Sequence, residues 1–149
     1  MRSVVQRVNS ASVQVDGGTV AAIGRGLLVL TGVFDYDEGS DLAWMAKRIA
    51  QLRVFPDSAG RMNLGPHDVE AEILLVSQFT LCANIRKGNR PSFTAAMAPE
   101  LAVEMVQQLA EAVAAYGLSV KTGVFGALME VELVNDGPVT IVLDSREFR

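Results

Sequence analysis

The feature that most constrains the fold is the sequence GLLVLTGV, from Gly26 to Val33, which is almost entirely apolar. It is far shorter than the roughly 20 residues that a membrane-spanning helix requires, and its composition is typical of a strand buried on both faces. A second apolar run, Ile73 to Leu81, is interrupted by the polar residues Ser77 and Gln78. The two runs predict strands within the interior of the molecule.

Shorter β-type runs lie toward both ends of the chain, and turn-forming Gly, Pro and Asp residues separate them. Near the N-terminus, Asp16-Gly17-Gly18 predicts a turn between two such strands. The strands predicted outside the two apolar runs are Val4 to Val8, Val13 to Val15, Val20 to Ile23, Ser119 to Thr122, Met129 to Val134 and Val139 to Leu143.

Two other segments have helical periodicity. The first can be capped by Ser40 or Asp41. The second begins near Pro99, a residue type favoured in the first turn of a helix, and ends at Gly117. The apolar residues predicted to share one face are Leu42, Met45, Ile49 and Leu52 in the first helix and Leu101, Met105, Leu109, Val113 and Tyr116 in the second.

Strands that cluster at both ends of the chain, instead of alternating with helices, predict an α+β fold. We expect a curved, mainly antiparallel, barrel-like sheet with the two main helices on one side of it. A length of 149 residues suits one domain with a sizeable core, and no linker or repeat divides the sequence. The prediction is a single domain over residues 1–149.

Composition excludes several classes of protein. Half of the residues are hydrophobic and 20% are charged, which is not the composition of a disordered chain. The N-terminal MRSVVQRVNSASVQV alternates like a strand and lacks the apolar core of a signal peptide. We therefore expect a cytoplasmic protein with no membrane partner. A net charge of −4 argues against broad nucleic-acid binding, and no DNA partner is expected, but overall charge does not exclude a local basic patch.

The usual catalytic residue types are scarce. His67 is the only histidine and lies in a predicted loop, which favours a surface position over a catalytic one. Cys82 is the only cysteine, so an intrachain disulfide and a cysteine zinc site are excluded; a buried position for it is favoured. No metal-ligand spacing or phosphate-loop glycine pattern is present, so we expect neither a metal nor a cofactor.

Three stretches have side chains that packing alone does not explain. Ser77-Gln78-Phe79-Thr80 places polar residues in an apolar strand, so they either lie at its end or line a pocket. Phe125, in KTGVFGA, is either a core aromatic or a platform on which a base stacks. In NIRKGNR, Arg86, Lys87 and Arg90 form either a solvated loop or an anion site.

A fourth stretch, VELVNDGPVTIVLD, has β-type runs on each side of Asn135-Asp136-Gly137-Pro138. Asn, Asp and Gly between two such runs predict a hairpin turn. Pro138 is unusual there, because proline cannot donate to a sheet ladder and is confined to edges, strand starts and bulges. X-Pro bonds are also the place where a cis peptide costs little. The residues alone leave open whether Gly137-Pro138 is only a turn.

Motifs spread along the chain resemble those of the D-aminoacyl-tRNA deacylase family, also called the D-tyrosyl-tRNA(Tyr) deacylase family. GLLVLTGV, LRVFPDSAGRMN and the N-terminal Gln6-Arg7-Val8 with Ala11-Ser12-Val13 are part of the resemblance, which covers nearly the whole chain. Its main motifs, in chain order, are LLVSQFTL (Leu74 to Leu81), KGNRPSF (Lys87 to Phe93), TGVFGALM (Thr122 to Met129) and VNDGPVT (Val134 to Thr140).

The resemblance implies a homodimer that hydrolyses the ester between a D-amino acid, or glycine, and the 3′-terminal adenosine of tRNA. It implies an active site at the dimer interface, where the SQFTL motif of one subunit lines the pocket. Gly137-Pro138 of the other subunit, with a cis peptide bond, is implied to reach into that pocket and reject L-amino acids.

The resemblance also distributes roles among the candidate residues. The backbone N–H groups of Phe79 and Thr80 are expected to stabilise the oxyanion of ester hydrolysis, while the Thr80 hydroxyl positions the substrate and the ribose 2′-OH assists. The other residues expected to contact the RNA are Phe125, Gly123, Met129 and Arg7 at the substrate and adenosine, and Arg86, Lys87 and Arg90 at phosphates.

Two alternatives are kept beside the deacylase. The first is a non-catalytic module that binds the 3′ end of tRNA, motivated by the basic residues and Phe125 in a chain without a catalytic triad. The second is a related deacylase that acts on an L-amino acid. The unaltered SQFTL and GPVT motifs disfavour the second alternative.

Overall fold

The computed structural model describes residues 1–147, which form eight strands and two α-helices. Short 3-10 helices cover His67–Val69 and Phe79–Cys82. The elements in chain order are β1 (Arg2–Val15), β2 (Gly18–Ile23), β3 (Gly26–Gly32), α1 (Gly39–Gln51), β4 (Phe55–Pro56), β5 (Met62–Leu64), β6 (Glu72–Ser77), α2 (Pro99–Ala114), β7 (Val120–Thr122) and β8 (Glu130–Asp144).

Six of the strands form one mixed sheet in the order β2-β1-β3-β6-β7, and β8 also pairs with β1. The pairings of β1 with β2, β3 and β8 are antiparallel, as predicted. The pairings of β3 with β6 and of β6 with β7 are parallel, so the expectation of a mainly antiparallel sheet is wrong for this half. Parallel neighbours require a long crossover, and the segments that contain α1 and α2 supply the two crossovers.

The two ends of this strand order approach each other, so the curved sheet is nearly a closed barrel. Lys121, on β7, donates from Nζ to the Ala22 carbonyl oxygen on β2 at 2.7 Å. The same Nζ lies 2.9 Å from the Glu72 carboxylate on β6. The carboxylate also accepts the Gly24 backbone N–H at 2.8 Å. These contacts join the β2 edge to the β6–β7 edge.

Glu72 gives the barrel closure a pH dependence. The Gly24 N–H and the Lys121 ammonium hold the pKa of the Glu72 carboxyl below its ordinary value. Its stabilising effect is therefore full above about pH 4.3, the unfolded pKa, and is lost as the pH falls through the lower folded pKa. We expect Glu72→Gln to lower the free energy of unfolding at pH 7 by about 1 kcal/mol or less.

Urea titrations at pH 7 and pH 3 measure this effect. The difference between wild type and Glu72→Gln should be smaller at pH 3, because this pH is below the unfolded pKa, where the unfolded chain binds a proton that the folded Glu72 carboxylate binds less readily. Glu104→Gln, on the exposed face of α2, serves as a matched control and should show no such change. An equal Glu72→Gln difference at both pH values would contradict the account.

The central strands are buried on both faces, as their apolar composition predicts. On β3, Leu27 and Val29 pack into the core beneath the helices, whereas Leu28 packs into the core on the opposite face. On β6, Ile73 and Leu74 alternate between the same two cores. The long apolar runs are thus explained by two separate hydrophobic cores, one on each side of the same strands.

The helices lie where periodicity predicts them, but their details differ. Helix α1 begins at Gly39, so its N-cap is Glu38 and neither Ser40 nor Asp41 as predicted; Asp41 lies in the first turn and completes a capping box by accepting the Glu38 N–H at 3.0 Å. Helix α2 begins at Pro99, as predicted. The prediction of its buried apolar face is partly wrong, because Leu101 is 59% exposed and Tyr116 is 43% exposed. The buried residues of α2 are Ala102, Val106, Leu109 and Val113.

Two strand predictions also need correction. The strand predicted over Ile73 to Leu81 ends at Ser77, because the chain then turns into a 3-10 helix. The predicted hairpin at Asn135–Pro138 is wrong: β8 is one strand, and its residues on both sides of that segment pair with β1. None of the helices in residues 1–147 has the length and apolar character needed to cross a lipid bilayer.

Candidate active site

A pocket of about 620 Å³ opens where β6 ends, between the N-terminal part of α2 and the loop that follows β7. Most of its lining side chains are apolar, and polar groups enter mainly from the end of β6. An apolar cleft with a few converging polar groups is the usual form of a small-molecule site. Its lining includes Thr31, Val76, Ser77, Gln78, Phe79, Phe93, Met97, Pro99, Ala102, Val106, Phe125 and Met129.

The polar side of the pocket is formed at Ser77 and Gln78. They begin the turn that follows β6, residues 77–82, which we call the β6 turn; Phe79 also lines the pocket, whereas Thr80 lies next to these residues and is not among the lining residues. The Gln78 N–H donates to the Thr31 carbonyl oxygen at 2.8 Å, which attaches the start of the turn to β3. The Gln78 side-chain amide donates to the Thr80 hydroxyl. Thr80 and Phe79 are exposed, and neither of their N–H groups donates a backbone hydrogen bond within residues 1–147. The turn therefore presents two adjacent N–H donors beside the pocket.

The position of the β6 turn depends on close packing against Gly32 of β3. A Cβ atom at Gly32 would lie 2.9 Å from the Gln78 carbonyl oxygen, 3.0 Å from Leu81 Cβ and 3.1 Å from Cys82 Sγ. These distances leave no room for a side chain. Cys82 anchors the end of the turn, since it is 2% exposed and its thiol donates to the Val33 carbonyl oxygen at 3.3 Å.

Aromatic rings border the pocket on two sides. The Phe79 ring packs edge-to-face against Phe93, with centroids 5.0 Å apart and 69° between the planes. Phe125 lines the pocket and also packs partly against the main core, so both predicted roles of this side chain are compatible with its position. Gly123 lies behind Met129: its N–H donates to the Leu75 carbonyl at 3.1 Å, and an added Cβ would lie 2.8 Å from Met129 Sδ.

Gly137 and Pro138 are not among the residues that line this pocket in the same chain. They lie in a wide bulge where β1 and β8 lose register: Gln6 pairs with Thr140 and Val8 with Asn135, so Asp136–Val139 stand opposite Arg7 alone. The Gly137–Pro138 peptide bond is cis, and Gly137 has φ +125°. Both residues are exposed.

Arg7 and Asn135 hold this bulge. The Arg7 guanidinium donates from Nη1 to the Val54 carbonyl oxygen at 2.5 Å, and its Nε lies 2.8 Å from Asp136 Oδ2 in an ion pair. This Nε lacks the alignment of a hydrogen bond. The Asn135 side-chain amide donates to the Arg7 carbonyl at 2.8 Å and to the Val139 carbonyl at 3.0 Å. Within one chain, Arg7 therefore belongs with Gly137–Pro138 and not with the pocket residues Phe125 and Met129.

The basic residues lie on a loop next to the β6 turn. Arg86, Lys87 and Arg90 are exposed. Backbone hydrogen bonds between Asn84 and Ser92, at 2.8 and 3.0 Å, close the base of the loop. Because Phe93 follows the loop directly, lines the pocket and contacts Phe79, the loop that contains the three cations ends beside the pocket.

Similarity to known proteins shows the family of this chain. The family model described as "D-Tyr-tRNA(Tyr) deacylase" matches residues 4–144. The chain belongs to this deacylase family. A relative in Chloroflexus aurantiacus, named D-aminoacyl-tRNA deacylase, is 55% identical over 100% of this chain and 93% of its own length. A relative of the same name in Desulfitobacterium hafniense is 56% identical over 99% of both chains.

Two solved structures have the same fold as this chain. A chain titled "c-Myc DNA Unwinding Element Binding Protein" is 44% identical, with a TM-score of 0.91 over 97% of this chain and 98% of that one. A "probable eukaryotic D-amino acid tRNA deacylase" is 17% identical, with a TM-score of 0.82 over 95% and 97% of the two chains, and shows the shared fold. The predicted family is confirmed, and the protein is a hydrolase of D-aminoacyl-tRNA.

Neither the cysteine nor the histidine of the deacylase lines the pocket. Burial raises the pKa of the Cys82 thiol to about 11, so it stays protonated at neutral pH and is a core residue, as predicted. His67 is exposed in the 3-10 helix before β6 and does not line the pocket. Residues 1–147 bring together no group of three His, Cys, Asp or Glu side chains suited to a metal ion.

Sequence reasoning missed several pocket residues of the deacylase. Thr31, Met97, Ala102 and Val106 line the pocket, yet none was singled out as a site residue. The sequence signal for them is weak, because Ala102 and Val106 look like ordinary core residues of a helix. Only the packing of α2 beside the β6 turn brings them to the site.

Proposed function

We propose that the chain hydrolyses the ester joining a D-amino acid, or glycine, to the 3′-terminal adenosine of tRNA, in a site completed by the second subunit of a homodimer. The observation that carries this proposal is that residues of two motifs far apart in the sequence line one pocket: Ser77, Gln78 and Phe79 of SQFTL, and Phe125 to Met129 of TGVFGALM. The chain acts as one domain, in the cytoplasm, where charged tRNA is found.

The β6 turn supplies the electrostatic part of the catalysis. Water attacks the ester carbonyl, and the negative charge of the tetrahedral intermediate develops on the former carbonyl oxygen. The Phe79 and Thr80 N–H groups are available to stabilise that oxyanion. The intermediate then collapses to the free amino acid and the ribose 3′-OH.

The proton transfers require a group that the described pocket residues do not supply. Neither His67 nor a carboxylate lines the pocket. The 2′-OH of the terminal ribose is therefore proposed to assist, as the family resemblance implies. An aminoacyl ester is an activated acyl group, so positioning and oxyanion stabilisation are sufficient for useful rates.

Thr80 is proposed to position the substrate through its hydroxyl. The hydroxyl already accepts a hydrogen bond from Gln78, so its own proton is free to be donated to the substrate, and no general base lies beside it. We expect Thr80→Ala to lower kcat about tenfold or less, the value of one neutral hydrogen bond. Loss of a nucleophile would lower it by several orders of magnitude.

Single-turnover hydrolysis of D-Tyr-tRNA measures this difference, with Thr19→Ala on β2 as a matched control away from the pocket. Mass spectrometry of the quenched reaction provides an independent readout. A covalent acyl adduct on Thr80, or complete loss of activity in a folded Thr80→Ala protein, would contradict the positioning role.

Adenosine and amino acid are proposed to occupy different parts of the site. Phe125 offers a ring face for the adenine, at the roughly 1–3 kcal/mol that base stacking contributes. Gly123 and Met129 shape the wall beside it. Arg86, Lys87 and Arg90 are exposed on the loop that ends beside the pocket at Phe93, and they are proposed to contact tRNA phosphates.

Chiral selection is proposed to come from Gly137–Pro138 of the second subunit. In one chain these residues are exposed and separate from the pocket, so they can approach a pocket only in another subunit. Main-chain groups close to the substrate Cα would leave no room for an L side chain. They cannot reject glycine, which has no side chain to exclude.

A homodimer would also cover apolar surface that the single chain leaves exposed. Phe79 is 61% exposed, Leu128 93% and Val134 56%. Phe79 and Leu128 lie at the pocket, and Val134 lies on β8 near the bulge. A two-fold axis that pairs the two regions would place each β6 turn opposite the partner's bulge.

The test is the release of amino acid from tRNA charged with D-Tyr, with the L-Tyr ester as the control. We expect rapid hydrolysis of the D-ester and little of the L-ester. Tight binding of the tRNA 3′ end without turnover would favour the non-catalytic binding module. Preferential hydrolysis of the L-ester would instead indicate the related deacylase that acts on an L-amino acid. DNA is expected not to compete: one structural relative is titled as binding a DNA unwinding element, but a net charge of −4 argues against broad nucleic-acid binding by this chain.

A further inference from the structure

We propose that Arg2 is a positioning residue for catalysis, because its guanidinium fixes the far end of the β6 turn. The proposal rests on the function proposed above for the Phe79 and Thr80 N–H groups. Arg2 lies outside every motif of the active site and does not line the pocket. It therefore acts on the reaction through the turn and not through the substrate.

The β6 turn is attached to the rest of the molecule at both ends. At its start, the Gln78 N–H donates to Thr31. At its end, Arg2 donates from Nη1 to the Leu81 carbonyl oxygen at 3.2 Å. The last carbonyls of a helical turn have no partner within the turn, and among residues 1–147 Arg2 provides the donor to this one. The two oxyanion donors lie between these attachments.

The guanidinium of Arg2 is itself held in place. Its Nε donates to Asp144 Oδ2 at 2.8 Å, and its Cζ lies 5.4 Å from the centre of the Phe34 ring. The strand register explains this arrangement, since Arg2 on β1 stands opposite Gly32 on one side and Asp144 on the other. The Asp144 side chain is 6% exposed and that of Arg2 is 35% exposed, so the carboxylate of the ion pair is shielded from solvent.

Gly32 and Arg2 thus act on the turn from adjacent strands. Gly32 allows the turn to approach β3 closely, and Arg2 joins the Leu81 carbonyl of the turn to β8 through Asp144. A fork-shaped guanidinium can make both hydrogen bonds at once, whereas a lysine ammonium in the same place is a single point charge. Loss of the hydrogen bond from Arg2 to the Leu81 carbonyl would leave the Phe79 and Thr80 N–H groups free to move relative to the ester.

The chain contains a closely matched control in Arg146. Its Cζ lies 5.1 Å from the centre of the Tyr36 ring, which stacks on Phe34 at 5.1 Å. Arg146 also donates to a backbone carbonyl, that of Tyr36 at 2.7 Å, and pairs with the buried Asp41 at 3.4 Å. It therefore makes the same three kinds of contact as Arg2, but its carbonyl partner is Tyr36 and not a residue of the β6 turn.

The experiment compares Arg2→Met, Arg2→Lys and Arg146→Met in the full chain. We expect both methionine variants to lower Tm by similar amounts. Only Arg2→Met should lower kcat for D-Tyr-tRNA, by about tenfold for a displaced oxyanion donor, with KM changed less than about twofold because no substrate contact is lost. Arg2→Lys should recover Tm more fully than kcat.

Amide NMR spectra give a readout that does not depend on activity. Arg2→Met should shift the backbone amide signals of Phe79 and Thr80, and Arg146→Met should leave them unchanged. Equal kcat values for the two methionine variants, or unshifted Phe79 and Thr80 signals, would overturn the proposal. If Arg2→Met does not fold, the same two measurements are made on Arg2→Lys: its kcat is compared with that of Arg146→Met, and its Phe79 and Thr80 amide signals are compared with those of the wild type. Wild-type protein without D-specific hydrolysis would instead refute the proposed function.

Discussion

Gly32→Ala should lower kcat for D-aminoacyl-tRNA by about 100-fold, the cost of moving catalytic groups by about 1 Å. The new Cβ would lie 2.9 Å from the Gln78 carbonyl oxygen and 3.0 Å from Leu81 Cβ. The β6 turn would have to move away from β3, and the Phe79 and Thr80 N–H groups would move with it. Overpacking of this kind also costs about 1–3 kcal/mol of stability.

Single-turnover kinetics and thermal unfolding together test this prediction. Gly39→Ala is the matched control, because an added Cβ at Gly39 has nothing within 4 Å. It should leave kcat unchanged. A folded Gly32→Ala protein with wild-type kcat would show that the position of the β6 turn does not govern hydrolysis.

Gly137→Ala should have the second large effect, and it acts on the other half of the proposed site. A Cβ there would lie 2.8 Å from Val139 Cγ2 and 2.9 Å from the Val139 backbone nitrogen, and φ is +125°, where L side chains are rarely found. The bulge held by Arg7 and Asn135 would have to rearrange. We expect about 100-fold slower D-ester hydrolysis and a lower ratio of D- to L-ester rates.

The control for Gly137→Ala is Gly60→Ala. Gly60 also has a positive φ, +76°, but an added Cβ has nothing within 4 Å. It therefore also places an alanine at a positive φ, in a loop that does not line the pocket. An unchanged D-to-L ratio in folded Gly137→Ala would argue against a selecting role for the Gly137–Pro138 segment.

The sequence predicts the interior of the fold better than its connections. The run Gly26 to Val33 is apolar because both faces of β3 are covered, so composition and burial agree. Pro99 begins α2 as predicted, because its fixed backbone angle suits a first helical turn. These features depend on the residues of one segment, and a single sequence contains that information.

Features that depend on distant partners were not predictable in the same way. Asn135–Pro138 has the composition of a hairpin turn, yet the flanking runs pair with β1 and not with each other. The turn preference of four residues does not reveal that the runs on both sides of them pair with β1. The parallel pairing of β3 with β6 and the entry of Ala102 into the pocket have the same origin, since both depend on how α1 and α2 pack.

In the candidate site, too, some residues can be recognised from their local sequence, and others only from their partners in the structure. Ser77 and Gln78 stand out locally as polar residues in an apolar run, and they line the pocket. Gly137–Pro138 stands out only as a proline in an unexpected place, and one chain leaves it away from the pocket. Its proposed use comes from the family resemblance, and it requires a second subunit.

The central claim is that each active site combines the β6 turn of one subunit with the bulge of the other. Two heterodimers of identical overall composition test it, each purified through different tags on its two chains. In the trans heterodimer, one chain has Gly32→Ala and its partner has Gly137→Ala. In the cis heterodimer, one chain has both substitutions and its partner is wild type.

A shared site predicts that the trans heterodimer keeps one fully intact site and about half of the wild-type activity per dimer, since two-fold symmetry gives two equivalent sites. The cis heterodimer should be nearly inactive, because each of its sites has one defect. The opposite result, an active cis heterodimer and an inactive trans heterodimer, would show that the site lies within a single chain and would contradict the account.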